Sequence, residues 1–340
     1  MLTILAAIFV FGVLITVHEF GHFIVAKMTG MKVEEFAIGF GPCIYQTKEG
    51  DTEYSLRLIP LGGYNKIAGM DPDDEPCEDG FNNKPILSRM AVILAGAFMN
   101  FLLPIALFTG IFMFEGQEQV QDIPVLGQIV EYSPAQRAGL KAGDKVLTIN
   151  DKEMTTWRDI QKTLRANGEK EVQLKIEREG KVQSFVMTPK YNEESKRAVI
   201  GIIPCTTHET VGPVQAFIMA IRYTVYVIEY MLDALKQIVI GKAAADVAGP
   251  IGVAQVAGQM AEKGLMPLFS FVALMSINLG VINLLPLPAL DGGHFFLLIV
   301  EALRGKPLSP IWMNRVQYAG IVLILAITIF STFKDVTRFF

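Results

Sequence analysis

Apolar residues are grouped into long runs, and these runs predict helices that cross a membrane. The first run, Leu2 to Met28, can cross a hydrocarbon layer of about 30 Å at about 1.5 Å per residue. It lacks a basic start and a small-residue cleavage site, so we interpret it as a membrane helix rather than a signal peptide. This run and the later ones predict transmembrane helices within residues 1–29, 86–115, 265–303 and 316–335.

The third of these runs contains residues that break helices. The segment Asn283 to Gly293 has the sequence NLLPLPALDGG, with Pro286 and Pro288 near its middle. Proline lacks a backbone N–H and clashes with the preceding turn of a helix. Residues 265–303 are therefore predicted to form a broken transmembrane helix.

Two segments between the apolar runs alternate apolar and polar residues, which is typical of β-strands. Residues 33–66 alternate around a turn at residues 48–51 and predict a β-hairpin. An acidic, turn-rich loop follows it, so that residues 30–85 form one segment between the first two helices. Residues 120–192 combine short strands with short helices and predict a small inserted β-rich domain.

Residues 211–262 are apolar but carry charges at a regular spacing. The charged residues that share one helical face at 100° per residue are Arg222, Glu229, Asp233 and Lys236. This pattern favours an amphipathic helix that lies at the membrane surface over a helix that crosses the membrane. The crossing helix stays open as the alternative.

The overall composition supports a membrane protein and argues against a protein that binds nucleic acid. The chain has 340 residues, of which 51% are hydrophobic, and its mean hydropathy is +0.38. Its net charge of −4 provides no basic footprint for nucleic acid. The three cysteines lie far apart without a Cys-x-x-Cys pair, which argues against a disulfide framework and against a cysteine metal site.

Basic residues predict how the chain is oriented in the membrane. With four transmembrane helices, the loop after the first helix and the loop between the third and the fourth lie on the same side. Both loops carry basic residues, including Lys27, Arg304 and Arg315, so the positive-inside rule predicts that they are cytoplasmic. The N-terminus, the β-rich domain and the C-terminus are then expected to be extracytoplasmic.

The first apolar run contains ionisable residues in the stretch HEFGH, residues 18–22. His18 and His22 are four residues apart, so their imidazoles share one helical face and can bind one metal ion. Glu19 can reach a metal-bound water rather than the metal, which is the pattern of zinc hydrolases. The alternative is a set of polar contacts between helices, but ionisable groups inside a membrane are costly and usually functional.

A catalytic zinc site usually has three protein ligands, so a third must come from another part of the chain. Asp291 lies in the broken apolar segment and, like His22, is expected in the cytoplasmic half of the membrane, where an unpaired carboxylate needs a partner. His294 follows three residues later and stays an alternative ligand. His208 lies in a polar segment after the β-rich domain and is expected to be a solvated surface residue.

Two motifs together resemble those of the site-2 protease family of intramembrane zinc metalloproteases. One is HEFGH in the first helix, and the other is Asn-x-x-Pro-x-Pro-x-Leu-Asp-Gly, which residues 283–292 match. The β-rich domain resembles a single PDZ domain. With the C-terminal segment GGHFFLLIVEALRGKPLSP, this order resembles the bacterial branch that includes the regulator of sigma-E protease.

The resemblance implies a fold and a set of site residues. The fold is a polytopic α-helical membrane protein with four transmembrane helices, a membrane-associated β-hairpin and one inserted PDZ-like domain. His18, His22 and Asp291 would hold Zn²⁺, with Glu19 as the general base. The hairpin at residues 33–60 resembles a re-entrant element that adds a substrate strand to its edge. The residues assigned to substrate binding are Asn283, Pro288 and Asn100, and a helix-packing role for Asn100 stays open.

The resemblance also implies an activity and its setting. Such a protein hydrolyses peptide bonds within the transmembrane segments of single-span proteins, such as trimmed anti-sigma factors or remnant signal peptides. It lies in the bilayer of the bacterial cytoplasmic membrane, and its PDZ-like domain binds or size-excludes substrate ectodomains. The alternatives are a catalytically inactive PDZ scaffold and a zinc transporter or sensor. A scaffold has no need of Glu19, and a transporter more often carries polar residues along its helices.

Overall fold

A computed structural model describes residues 1–70, 77–192, 197–242 and 249–337, and the predicted acidic loop lies partly outside these residues. The chain forms two compact units, Met1–Met113 with Gly212–Phe340, and Phe114–Val211. The helices are α1 (Leu2–Met28), α2 (Ile86–Glu115), α3 (Pro134–Ala138), α4 (Trp157–Asn167), α5 (Pro213–Val239), α6 (Pro250–Lys263), α7 (Leu265–Asn283), α8 (Asp291–Arg304) and α9 (Pro310–Thr337). The strands are β1 (Val33–Glu49), β2 (Thr52–Ile67), β3 (Gln117–Val120), β4 (Leu126–Ile129), β5 (Lys145–Ile149), β6 (Lys152–Glu153), β7 (Val172–Arg178), β8 (Lys181–Met187), β9 (Lys190–Asn192), β10 (Arg197–Val199), β11 (Ile202–Pro204) and β12 (Thr206–Glu209).

Four helices of the first unit have the length and composition of membrane spans. Within the described residues, α1, α2, α7 and α9 are long and apolar enough to cross a membrane. Helices that are apolar on all faces are typical of segments surrounded by lipid and by other helices. The predicted polytopic membrane fold with four transmembrane helices is therefore confirmed.

Two clusters of apolar side chains pack the membrane helices against one another. One cluster joins α1, α6 and α7 and includes Val10 and Val272. The other joins α2, α5 and α7 and includes Phe108 and Ile277. Because close packing drives the association of helices in lipid, these clusters hold α7 against both α1 and α2.

Residues 211–262 contain two helices, α5 and α6. α5 buries Ala216, Ala220 and Thr224, whose spacing of four residues puts them on one face. This face packs against α2 and α7, and α5 is not among the described helices with the composition of a membrane span. Its location at the membrane surface stays a prediction. α6 packs on α1, where a β-carbon on Gly258 would lie 2.6 Å from Oγ1 of Thr3.

The third apolar run is interrupted between α7 and α8. α7 ends at Asn283, and α8 begins at Asp291 after an irregular segment that contains both prolines. Ala289 in this segment adopts a left-handed conformation with φ of +68°. Gly292 comes so close to the segment that a β-carbon on it would lie 2.3 Å from the carbonyl oxygen of Leu285. Glycine at this position therefore allows the segment to fold back on the start of α8.

The hairpin of β1 and β2 bends back on itself. Its turn contains Gly50, whose φ of +61° favours glycine. Residues 35–38 of β1 pair with residues 53–56 on one side and with residues 63–66 on the other. The first half of β1 therefore lies between the two ends of β2. Within the described residues, the segment 63–66 forms an outer edge of this sheet.

The second unit is a β-rich domain around one apolar core. Its central sheet is antiparallel, with strand order β6-β5-β7-β8. The side-chain oxygen of Ser133 caps α3, and Thr156 forms a capping box at the start of α4. Leu126, Ile149 and Leu174 are fully buried in the core. This unit is the inserted β-rich domain of the predicted fold, and its resemblance to a PDZ domain stays a prediction.

The β-rich domain extends beyond the expected limits of residues 120–192. β3 pairs with β12, and β4 pairs with β11, so that strands from both ends of the unit close it. These four strands have only three or four residues each. Strands this short show no clear alternation in the sequence, which is why the sequence predicted a smaller domain.

Candidate metal and active site

Two histidines on α1 face the same point inside the membrane unit. His18 and His22 lie on successive turns, and their Nε2 atoms are 3.3 Å apart. Both residues are buried, with 8% and 9% of their surfaces exposed. Nδ1 of His22 lies 2.8 Å from the carbonyl oxygen of Val92, which can only accept a hydrogen bond. Nδ1 of His22 therefore carries the donated proton, and in the neutral ring Nε2 has a free lone pair.

Asp291 reaches the same point from the first turn of α8. Its Oδ2 atom is 3.3 Å from Nε2 of His18 and 3.5 Å from Nε2 of His22. This oxygen is buried and has no hydrogen-bond partner among the described residues. A buried carboxylate oxygen without a donor is costly, so this position suits a cation.

The three side chains fit a metal ion such as zinc. Their candidate ligand atoms all lie within 4.8 Å of one another. Two imidazole nitrogens and one carboxylate oxygen form a ligand set of the catalytic zinc type, which leaves a fourth position for water or substrate. The buried Oδ2 atom of Asp291 and the free lone pair of His22 both favour this interpretation.

Glycines allow α1 and α2 to approach each other closely at this site. A β-carbon on Gly96 would lie 2.3 Å from Nε2 of His22 and 2.6 Å from Cε1 of His18. A β-carbon on Gly21 would lie 2.4 Å from the carbonyl oxygen of Ala95. Small residues commonly permit this kind of approach between membrane helices. The backbone of α2 therefore forms one wall of the site.

Glu19 lies beside the three candidate ligands. It follows His18 on α1, is partly buried, and interacts electrostatically with both histidines and with Asp291. A β-carbon on Gly63 would lie 3.8 Å from Cγ of Glu19. The outer edge of the hairpin sheet therefore passes next to the Glu19 carboxylate.

Asn283 and Pro288, both assigned to substrate binding, lie on either side of the interruption between α7 and α8. Nδ2 of Asn283 is 3.4 Å from Nε2 of His18, so its amide borders the candidate metal position. Pro288 packs against α9, since a β-carbon on Gly320 would lie 2.3 Å from the Pro288 carbonyl carbon. The assignment of both residues to substrate binding stays a prediction.

Asn100, the third residue assigned to substrate binding, borders His18 from α2. The residue is fully buried, and its Nδ2 atom lies 3.1 Å from Nδ1 of His18. Its backbone carbonyl accepts a hydrogen bond of 2.8 Å from Oγ of Ser276. Asn100 therefore contacts the His18 nitrogen that does not face Asp291. Its assignment to substrate binding stays a prediction.

The alternative ligand His294 is not a member of the described group of side chains that could hold a metal ion. His294 lines a cleft that also contains Arg89 and Glu301. His208 belongs to β12 of the β-rich domain. The His208 side chain lies outside the described part of the structure, and its expected exposure to solvent stays a prediction.

Two features around the site were not predicted from the sequence. Arg89 of α2 and Glu301 of α8 form a buried ion pair that ties the helix carrying Asp291 to α2. The available signal was a pair of opposite charges within apolar segments. The other feature is the Val92 carbonyl, and a backbone acceptor gives no signal in the sequence.

The family profile and the relatives that match this sequence agree on one family of peptidases. Residues 6–327 match the profile of peptidase family M50. The chain is 38% identical to a proposed zinc metalloprotease of Clostridium acetobutylicum, over 98% of this chain and 97% of that protein. It is 29% identical to the regulator of sigma-W protease RasP of Bacillus subtilis, over 99% of both chains. It is 32% identical to the zinc metalloprotease RasP of Geobacillus kaustophilus, over 99% of this chain and 98% of that one.

Among solved structures, a PDZ domain from a Listeria monocytogenes protein matches 26% of this chain and 93% of its own length. Its sequence identity is 15% and its TM-score is 0.23, which is too low to carry a structural argument.

Proposed function

The chain belongs to peptidase family M50, and on this premise we propose that it is an intramembrane zinc metalloendopeptidase that cuts single-span membrane proteins within their transmembrane segments. The observation that carries the proposal is the convergence of His18, His22 and Asp291, with Glu19 beside them, among helices of membrane-spanning length. The name of the Geobacillus relative, a zinc metalloprotease, supports zinc as the metal.

The ligands and Glu19 have different parts in the proposed reaction. When bound, zinc lowers the pKa of a water molecule and polarises the carbonyl of the scissile peptide bond. His18, His22 and Asp291 would hold the ion through two imidazole nitrogens and one carboxylate oxygen. Glu19 accepts the proton of the attacking water and returns it to the leaving nitrogen. Asn283, whose amide borders Nε2 of His18, donates a hydrogen bond to the substrate backbone.

The proposed substrate is unwound before it is cut, because the hydrogen bonds of a helix hide its carbonyl groups. Addition of the substrate as a strand to a sheet edge replaces those hydrogen bonds. The outer segment at residues 63–66 supports this step, since Gly63 lies next to Glu19. A strand paired with this edge brings its backbone toward both the general base and the metal ligands.

The proposed setting is a bacterial cytoplasmic membrane with the active site in its cytoplasmic half. Basic residues in the loops after α1 and α8 support this orientation, with the PDZ-like domain and both termini extracytoplasmic. The Bacillus relative is named as a regulator of sigma-W, which supports trimmed anti-sigma factors as one substrate class. Remnant signal peptides are a second class, and the PDZ-like domain binds or size-excludes substrate ectodomains.

Cleavage of a single-span reporter by the purified protein in detergent tests this proposal. We expect cuts within the apolar segment, mapped by mass spectrometry, that a zinc chelator abolishes and added zinc restores. Cuts confined to the polar flanks, or cuts that persist after zinc removal, would contradict the proposal. Zinc binding without cleavage across a panel of trimmed single-span substrates would favour the transporter or sensor.

A further inference from the structure

The two histidines of the site differ in how their second ring nitrogen is held. Nδ1 of His22 donates to the carbonyl oxygen of Val92 at 2.8 Å. A carbonyl accepts only, so this contact holds the proton on Nδ1 and leaves Nε2 of His22 free to bind a metal. The backbone of α2 therefore determines the tautomer of His22.

His18 needs an equivalent acceptor if its Nε2 atom is to bind the same ion. Nε2 of His18 faces Oδ2 of Asp291 at 3.3 Å, so Nε2 is the nitrogen that points into the ligand cluster. A neutral imidazole that uses the lone pair of Nε2 carries its proton on Nδ1. Nδ1 of His18 must then donate a hydrogen bond inside a buried environment.

The side chain that touches Nδ1 of His18 is the amide of Asn100. Nδ2 of Asn100 lies 3.1 Å from this nitrogen. An amide NH₂ group is a donor, so this orientation suits a His18 ring that carries its proton on Nε2 and has its lone pair on Nδ1. The Oδ1 atom of the same amide is buried and has no hydrogen-bond partner among the described residues. A half-turn of the amide about χ2 exchanges the two atoms and presents an acceptor to His18.

We propose that Asn100 is the positioning residue of the metal site: its Oδ1 atom accepts a hydrogen bond from Nδ1 of His18 and holds His18 in the tautomer that binds metal through Nε2. The proposal rests on the proposed function in that zinc is the ion held. It gives a use to the buried Oδ1 acceptor. It also makes the two histidines equivalent, since each is then oriented by an acceptor on α2, Val92 for His22 and Asn100 for His18.

The surroundings of Asn100 hold its side chain beside His18. It is fully buried, and its backbone carbonyl accepts from Ser276 of α7 at 2.8 Å. One turn earlier on α2, Gly96 lies against both imidazoles. The amide therefore has little freedom to leave His18. Outer acceptors of this kind commonly change metal affinity by about 10- to 100-fold when they are removed.

Two substitutions at position 100 separate the effect of the hydrogen-bond acceptor from the effect of side-chain volume. Asn100→Asp keeps an acceptor in every orientation, whereas Asn100→Leu keeps a similar volume without an acceptor. Ser276→Ala is the packing control, because it removes a hydrogen bond to the backbone of Asn100 and leaves the amide intact. Zinc affinity is measured by chelator competition on full-length protein in detergent. We expect Asn100→Leu to weaken zinc binding about 10- to 100-fold and the other two variants to stay near the native affinity.

Nuclear magnetic resonance of the imidazole nitrogens reads the tautomer directly. The chain has 4 histidines, so protein labelled with ¹⁵N at histidine gives a simple spectrum, which His18→Ala assigns. We expect Nδ1 of His18 to be protonated in the zinc-bound native protein and in Asn100→Asp. If the His18 proton lies on Nε2 in the zinc-bound native protein, the proposal is overturned. This measurement uses only the native protein, so it remains decisive if Asn100→Leu does not fold.

The outcomes distinguish this inference from the proposed peptidase activity. Unchanged zinc affinity in Asn100→Leu overturns the inference, whether or not the protein cuts substrate. An equal loss in Ser276→Ala and in Asn100→Leu also overturns it, because packing alone then explains the effect. Zinc affinity could fall selectively in Asn100→Leu while the native protein cuts no substrate. This result would support the inference about Asn100 and contradict the proposed peptidase activity.

Discussion

Gly96 on α2 faces His22 on α1 so closely that a β-carbon on the glycine would lie 2.3 Å from Nε2 of the imidazole. A contact of that length is sterically forbidden, so any larger residue at position 96 must displace the candidate metal ligand or separate the two helices. The absence of a side chain at this position is therefore as much a requirement of the site as the histidines are.

Gly96→Ala should accordingly remove the metal site while the chain still folds. We expect zinc affinity to fall at least about tenfold and cleavage to be lost, because the methyl group occupies space beside both histidines. Gly110→Ala is the matched control, since a β-carbon there on the same helix has nothing within 4 Å. Equal zinc affinity in the two variants would show that the approach of α2 does not constrain the site.

The ion pair between Arg89 and Glu301 should stabilise the position of α8. Their side chains are only 10% and 13% exposed, so the loss of one partner leaves a buried charge. We expect Arg89→Met to lower the free energy of unfolding by about 3 kcal/mol, measured by denaturation in mixed micelles. The double variant Arg89→Met with Glu301→Leu should recover most of this loss, because it removes both charges. A double variant as unstable as the sum of the single variants would contradict the coupling.

The stability of the β-rich domain should depend on pH through Asp144. This residue is almost completely buried and accepts hydrogen bonds of 2.7, 2.7 and 2.8 Å from Nε and Nη2 of Arg178 and from the Lys141 N–H. Burial raises the pKa of the carboxyl, but these hydrogen bonds outweigh burial and lower the pKa below its usual value of 3.8. The stabilisation from the Asp144 carboxylate is therefore complete at pH values above the usual pKa of 3.8. It is lost as the pH falls through the lowered pKa of the folded domain.

Asp144→Asn should remove this pH dependence and lower the free energy of unfolding of the domain by about 2 kcal/mol at neutral pH. Hydrogen exchange of the domain amides in the full-length protein, measured across the acidic range, checks both effects. Asp151→Asn is the control, because that carboxylate is exposed and pairs with Lys175 at the surface. A similar acid dependence in Asp144→Asn and in the native protein would show that another group is responsible.

The parts of the site that the sequence could predict are those that depend on local periodicity. The spacing of His18 and His22 puts both imidazoles on one helical face whatever surrounds the helix. Asp291 could be predicted from its depth in a broken apolar segment, since a carboxylate there needs a partner. The four transmembrane helices could be predicted because their length and composition depend on the bilayer alone.

The parts that the sequence could not predict depend on contacts between distant segments. The double pairing of β1 with both ends of β2, which brings Gly63 beside Glu19, has no signature in the alternation of either strand. The contact of Asn100 with Nδ1 of His18 depends on the rotation of α2 against α1. A buried asparagine in an apolar helix is equally compatible with contact to substrate, to another helix or to a ligand. The contact that Asn100 makes with His18 is visible only in the packed structure.

The most direct test of the account compares Glu19→Gln with the native protein for both zinc content and cleavage of a single-span reporter. Glu262→Gln serves as the control, because Glu262 is an exposed residue of α6. We expect Glu19→Gln to bind zinc as the native protein does and to lose cleavage, since it lacks the base while His18, His22 and Asp291 are unchanged. Native cleavage by Glu19→Gln would contradict the central claim that Glu19 is the general base beside a catalytic metal.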